Sequence, residues 1–165
     1  MHPDPSGTVY LFCFKTGVLS RVAHDIRLSV QPREFSRIGD AIRAVFSPTD
    51  IVVDGAIKGQ DLSPKTLSNK DKHDIRKKLR TEVLKGQNFP TITVCGDLNE
   101  GVFQGELTLM GLTRPLRFPT TTEGDVILAE FEIQPSRWGI RPYRALLGAI
   151  QLQDRIRVEC RFPVP

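Results

Sequence analysis

Two histidine-aspartate pairs, His24-Asp25 and His73-Asp74, are the residues best suited to proton chemistry, because a carboxylate beside an imidazole orients many general bases. Adjacency in the chain argues against that use. Neighbours on a strand point to opposite faces, so His24 and Asp25 would not meet side chain to side chain in regular β-structure. A structural or rim histidine is the better reading of both. A metal centre needs three or four convergent ligands. The chain has 3 histidines (His2, His24, His73) and 3 cysteines (Cys13, Cys95, Cys160), with no H-x-x-x-H, C-x-x-C or carboxylate cluster. No G-x-G-x-x-G, Walker A, G-x-S-x-G or H-E-x-x-H occurs either. The expectation is a protein that is not an enzyme, with no catalytic residue, no metal and no cofactor.

Two further groups invite a binding reading. Lys70, Lys72, Arg76, Lys77, Lys78 and Arg80 crowd one segment, where they would attract nucleic acid or an anionic surface. Asp71, Asp74 and Glu82 dilute that charge, and Asp74 with Lys78 is an i,i+4 helix pair, so a solvated helix face is preferred. Tyr10, Phe12 and Phe14 alternate with Val9, Leu11 and Cys13. Such a strand is apolar on both faces and must be covered on both, which favours packing over base stacking.

Short runs rich in Val, Ile, Leu, Phe and Thr alternate with period two between Gly, Pro, Asn and Asp, the pattern of an antiparallel sheet. Strands are expected near residues 8–15, 25–30, 41–46, 51–58, 91–98, 102–110, 112–120, 126–134 and 155–162. Asn99-Glu100-Gly101, Met110-Gly111 and Glu123-Gly124-Asp125 read as hairpin turns with glycine at the left-handed position. A meander of about eight strands removes its edges by closing, and leaves an interior able to hold one small ligand.

Residues 68–85 break the alternation. Ser68 with Asp71 three residues on makes a capping box, Ile75, Leu79 and Val83 recur every fourth residue, and Gly86 follows the end. The apolar stripe is narrow, so this helix should lie on the barrel or across one mouth. Pro90 restarts extended chain.

At 165 residues the chain suits one domain spanning 1–165, with no internal repeat. Apolar residues at 39% and charged residues at 25% exclude disorder and collagen-like repeats, and no run approaches the roughly 18 apolar residues of a membrane helix. A net charge of +4 is too small to name a partner. The cysteines sit among β-favouring residues and read as reduced core residues. The first residues lack a secretory pattern, so a cytoplasmic location is expected, or a periplasmic one if a leader has been removed.

Phe89-Pro90-Thr91-Ile92-Thr93-Val94 and Gly105-Glu106-Leu107-Thr108-Leu109-Met110-Gly111-Leu112-Thr113-Arg114-Pro115-Leu116 resemble the YceI family of lipocalin-like, polyisoprenoid-binding proteins. Lys70-Asp71-Lys72-His73-Asp74 is similar to the family's acid-x-His segment. Ala23-His24-Asp25-Ile26 is similar to its Gly-His-Asp-Leu, and Ile133-Gln134-Pro135-Ser136-Arg137-Trp138-Gly139-Ile140 to its Ile-Asn-Arg-Ser-Asp-Phe-Gly-Leu. Pro135 and Arg137 replace Arg and Asp of that pattern, so the charge pairing they give relatives is absent here.

The resemblance implies an all-β, lipocalin-like antiparallel barrel of about eight strands, or slightly more, with one amphipathic helix near an opening. Its tunnel-like cavity would hold a long-chain isoprenoid, isoprenoid quinone or fatty-acid-like lipid, for transport or storage. Parity then assigns the lining: Val9, Leu11 and Cys13; Ile26, Leu28 and Val30; Ile92 and Val94; Leu107 and Leu109; Leu116 and Phe118; Ala129, Phe131 and Ile133; Ile156, Val158 and Cys160. His24, Asp25, His73, Arg114 and Trp138 are candidates for a polar rim. No nucleic-acid partner is expected, and the reading leaves peripheral membrane contact and a homodimer open. The alternative is a binder of nucleic acid or anionic surfaces through the basic helix 68–85.

Overall fold

The computed structural model describes residues 7–16, 24–145 and 150–164, so His2 and Ala23 lie outside the described residues. The described strands are β1 (Thr8–Thr16), β2 (Asp25–Val30), β3 (Glu34–Ile38), β4 (Ala41–Phe46), β5 (Val52–Lys58), β6 (Asp61–Ser63), β7 (Ile92–Asn99), β8 (Val102–Leu109), β9 (Leu112–Glu123), β10 (Val126–Ile133), β11 (Arg144–Ala145) and β12 (Ile150–Pro163). One helix, α1 (Asn69–Lys78), continues into a wider π-turn over Leu79–Val83.

The strands form one 12-stranded antiparallel sheet in the order β3-β4-β7-β8-β9-β10-β12-β1-β2-β5-β6, with β11 pairing only β12. The ends of this path, β3 and β6, do not pair with each other, which corrects the expected closed ring of about eight strands. The cause lies in one long hairpin, residues 25–58, which bends at its waist. Residues 31–33 separate β2 from β3, and a short 3-10 turn over Pro48–Asp50 separates β4 from β5. Below the bend, β2 pairs with β1 and β5; above it, β4 pairs with β3 and β7. The chain itself therefore crosses the seam that ladder hydrogen bonds leave open. Phe35 of β3 also packs at a tilt against Phe162 of β12, with ring centroids 4.9 Å apart.

Turn chemistry fixes the register elsewhere. Glu100-Gly101 and Met110-Gly111 have φ of 49°, 75°, 50° and 74°, the all-positive pattern of two-residue turns whose twist matches the strands they join. Gly96 and Gly105 face each other across β7 and β8. A Cβ on Gly105 would lie 2.1 Å from the Cys95 carbonyl oxygen and 2.6 Å from Gly96 Cα, so the sheet coils here only because both residues lack side chains.

The strand β1 is indeed apolar on both faces, but among the described residues no second layer covers its outer side. Arginines do. The guanidinium of Arg27 lies 4.8 Å from the Tyr10 ring centroid, Arg157 4.2 Å from Phe12 and Arg155 4.4 Å from Phe14. Each arginine also reaches an acid: Arg27 Nε to Asp54 at 2.9 Å, Arg155 to Glu132 at 3.2 Å, Arg157 to Glu159 at 3.4 Å. The flat guanidinium shields the ring while keeping its charge near water.

Placing alanine at Gly105 should lower stability by about 2 kcal/mol or more, because backbone on the adjacent strand must move. A thermal melt of G105A within a degree of the parent would contradict the close approach described.

Candidate functional site

Alternation turns one side chain in two toward the interior, where they surround a cavity of about 610 Å³, within the range of roughly 300–1,000 Å³ found for small-molecule sites. Every apolar position expected from parity lines it, from Val9, Leu11 and Cys13 on β1 to Ile156, Val158 and Cys160 on β12. The remaining expected lining residues, on β2, β7, β8, β9 and β10, are there too: Ile26, Leu28, Val30, Ile92, Val94, Leu107, Leu109, Leu116, Phe118, Ala129, Phe131 and Ile133.

At the end near the Glu100-Gly101 turn the cavity has an aromatic floor. Phe103 and Phe118 form a cross-strand pair with ring centroids 4.8 Å apart, and Phe131 stacks on Phe118 at 4.0 Å. Stacked rings add to the apolar burial at this end.

The opposite end is the mouth, and the helix covers it. Ser68 caps α1: its hydroxyl accepts from Asp71 N–H at 3.1 Å, while Asp71 accepts from Ser68 N–H at 3.0 Å, the expected capping box. Ile75, Leu79 and Val83 turn into the cavity as the four-residue spacing requires, joined by Leu84. Most polar lining groups gather around this mouth: His24, Asp71, Asp74, Lys78, Arg141, Tyr143, Gln151, Gln153 and Asp154; Thr120, whose N–H bonds the Gly101 carbonyl, is the exception and stands at the floor end. Lys78 Nζ donates to the Tyr143 hydroxyl at 2.8 Å and so ties the helix to the segment before β11.

Asp154 sits at the edge of this mouth. Burial pushes its carboxyl up, but bonds from the Ser136 hydroxyl, Ser136 N–H and Gln134 amide outweigh that and hold it below the ordinary aspartate value.

The expected rim is only partly assembled. His24 is exposed and lines the mouth. Asp25 does not; its carboxylate accepts from Lys15 N–H at 2.8 Å. His73 is exposed on the side of α1 away from the cavity. Arg114 shares the parity of the inward Leu116 but is exposed and does not line the cavity; its Nε donates to the Arg137 carbonyl at 3.2 Å. Trp138 is a core residue, 1% exposed, whose indole N–H donates to the Leu107 carbonyl at 2.9 Å. An indole needs a buried acceptor of this kind when it is fully covered, and a strand carbonyl supplies it.

Sequence reasoning missed part of the wall: Ile42, Ala44 and Phe46 on β4, and Leu98, Phe103 and Ile127. The signal was present, since Ile42-Ala44-Phe46 alternate and Leu98 continues the parity of Ile92 and Val94. Arg141 and Tyr143 carried no such signal, because loop residues have no periodicity, and Lys78, though on α1, reads only as part of a solvated basic face.

The cysteines divide. Cys13 and Cys160 line the cavity, and burial pushes each thiol up to about 12, with Asp25 adding to the effect at Cys13. Cys95 is exposed on β7, which corrects its assignment to the core. Among the described residues no group of three or more His, Cys, Asp or Glu could hold a metal ion, and the two His-Asp pairs form no dyad that any bond records.

A curved antiparallel wall around an apolar cavity, greasy to its floor, polar at one mouth and covered there by a helix, defines a small-molecule-binding β-domain. The chain belongs to the YceI-like family: the model of the YceI-like domain matches residues 18–163. That membership sets it among proteins that bind and not among enzymes. The fold is shared with a polyisoprenoid binding domain from Saccharophagus degradans, with a TM-score of 0.59 at 10% identity, covering 98% of this chain and 100% of that one. It is shared also with BcnA of Burkholderia cenocepacia, with a TM-score of 0.52 at 10% identity over 94% of each chain. No curated protein matches the chain.

Two outcomes follow from the site. A maleimide at pH 8 should modify Cys95 rapidly, and Cys13 and Cys160 only once denaturant opens the wall, since the thiolate is the reactive form and burial withholds it; equal rates by mass spectrometry would refute the buried placement. Replacing Tyr143 by Phe removes the hydroxyl that ties down Lys78, so an apolar fluorescent probe should enter and leave the cavity several-fold faster, read by stopped flow.

Proposed function

We propose that the chain binds a long apolar or amphiphilic lipid in this interior, as a carrier or store. A polyisoprenoid, an isoprenoid quinone or a fatty-acid-like chain all have the required shape. The observation that carries the reading is the segregation of the cavity: every strand from β7 to β10, with β1, β2, β4 and β12, contributes apolar side chains, whereas the polar ones, Thr120 apart, collect at the helix-covered mouth.

The energetics agree. Moving an aliphatic chain out of water yields about 0.8 kcal/mol per methylene, so fifteen buried carbons supply ~12 kcal/mol. Association costs of ~4 kcal/mol or more leave about 8 kcal/mol, which corresponds to micromolar affinity. The apolar wall gives no hydrogen bonds to a tail, so discrimination among ligands falls to length, branching and the mouth. His24, Lys78 and Arg141 are the groups there that donate to a headgroup oxygen. The likeness to a polyisoprenoid binding domain supports the same ligand class.

The nucleic-acid alternative loses its basis in the geometry of the helix. Arg76 and Arg80 turn back to the Thr49 carbonyl and Lys78 turns to Tyr143, so the basic residues do not form one free row.

Native mass spectrometry and an organic extract of the purified protein should reveal a bound lipid, and delipidated protein should take up a polyisoprenoid or long-chain acyl probe with one-to-one stoichiometry. A variant with Leu28→Trp, which places a bulky ring in the lining, should fold and lose the probe. Apo mass alone, together with no saturable uptake by the delipidated protein, would sink the carrier reading.

A further inference from the structure

The 3-10 turn at the waist of the long hairpin is held rigidly. Ser47, 3% exposed, bonds the Thr49 hydroxyl at 2.9 Å and accepts from Thr49 N–H at 3.3 Å. Three arginines from two distant parts of the chain converge on it. Arg33 grips Asp50 with both arms of its fork, Nε at 2.6 Å and Nη2 at 3.0 Å, and Nη2 also lies 3.0 Å from the Thr49 hydroxyl. Arg76 and Arg80, one helical turn apart, each direct Nη2 at the same Thr49 carbonyl oxygen, Arg76 from 3.0 Å.

Charge and hydrogen bonding are both left unbalanced there. Three guanidiniums meet one carboxylate and one carbonyl. Like charges four residues apart on a helix repel, and here they are drawn onto one neutral oxygen. The Nε atoms of Arg76 and Arg80 are buried with no protein acceptor. A buried charged donor without a partner costs far more than an exposed one, so such a group calls for an acceptor. The other orphan among the described residues, Arg157 Nε, has a different explanation, since its guanidinium lies over the Phe12 ring. No ring contact is recorded for Arg76 or Arg80. Burial, and then the neighbouring Arg76 charge, make the ionised form of Arg80 less favourable than usual, the strain an added anion would relieve.

We propose that Arg33, Arg76 and Arg80, arranged around Thr49, form a binding site for a phosphate-class oxyanion on the outer rim of the barrel. The planar guanidinium fork matches two oxygens of a tetrahedral anion; Arg76 and Arg80 each keep an Nε that no protein acceptor takes, and Arg33, paired with Asp50, adds its charge beside them. The site stands apart from the cavity: none of the three arginines lines it, although Ile75, Leu79 and Ile51, their immediate neighbours or near neighbours in the chain, do. It therefore does not depend on whether the interior holds a lipid. The anion has two sources, a free phosphate or small phosphomonoester, or the headgroup of an anionic phospholipid.

Calorimetry of the full chain with inorganic phosphate, and flotation with phosphatidylcholine vesicles with and without phosphatidic acid, separate the sources. Saturable one-to-one phosphate binding, weakened about tenfold or more in R76Q/R80Q and unchanged in K70Q/K72Q, assigns the site to a free anion. Flotation only with phosphatidic acid, lost in R76Q/R80Q and kept in K70Q/K72Q, assigns it to a headgroup. Phosphate, or phosphatidic acid in the second case, should also raise the melting temperature of the parent and not of R76Q/R80Q, whose own melt reports whether it is folded. Binding of neither probe, binding undiminished in R76Q/R80Q, or equal loss in K70Q/K72Q would overturn the proposal.

Discussion

A strand alternates its side chains, and an antiparallel sheet of this length can bury one of its faces only by curling that face inward on itself. The whole molecule follows from that constraint. Once the apolar faces of β1, β2, β4, β7, β8, β9, β10 and β12 look toward a common axis, the radius is set by the backbone and not by the side chains. Aliphatic residues of ordinary size then fail to meet in the middle. Ala44 and Ala129 stand on the inner wall where larger residues would fill it, and the facing glycines Gly96 and Gly105 tighten the curl. The cavity is what remains.

The same alternation decides how the outer face is finished. A strand such as β1, with Tyr10, Phe12 and Phe14 outward, would expose a row of rings unless something lay on them, and a second layer would need residues this chain does not have. Arg27, Arg155 and Arg157 on the flanking strands supply the cover, each stacked on one ring and balanced by an acid. Pairs of this kind are worth little one by one, about 0.5–1 kcal/mol at exposed sites, yet they remove an adhesive aromatic stripe from solvent. The wall can therefore stay a single layer.

These causes also explain what could be read in the chain beforehand. Parity is local, so the inward residues of β1, β2, β7, β8, β9, β10 and β12 were assigned without knowing how the strands were ordered. The capping box at Ser68 and the two-residue turns at Glu100-Gly101 and Met110-Gly111 are equally local. The bend of the long hairpin was not legible, because it depends on β2 pairing with β1 while β4 pairs with β7, far along the chain; β3 and β6, short and half-exposed, carry no strong alternation. Trp138 was placed at the rim by its neighbours in the motif, whereas its burial is decided by the Leu107 carbonyl, a partner 31 residues away. Arg114 and His73 fail for the same reason: charge and motif mark a residue as polar, and only the assembled fold says what it meets, the Arg137 carbonyl in one case and solvent in the other.

The helix is where the two sides of the wall meet. Ile75, Leu79 and Val83 need an apolar surface and find it over the mouth, so the next residues around the helix, Arg76 and Arg80, are forced against the waist of the hairpin, while Lys78 faces Tyr143. A straight α-helix would rotate the last of these positions off the cavity. The π-turn over Leu79–Val83 widens the coil by one residue, and Leu84, buried at 7% exposure, then reaches the interior behind Val83. The cover is thus anchored by polar bonds on its outer edges and by apolar contact beneath. Breaking the edge bonds frees the cover without unpacking the wall, which makes the helix the part of this fold best placed to move when a guest enters.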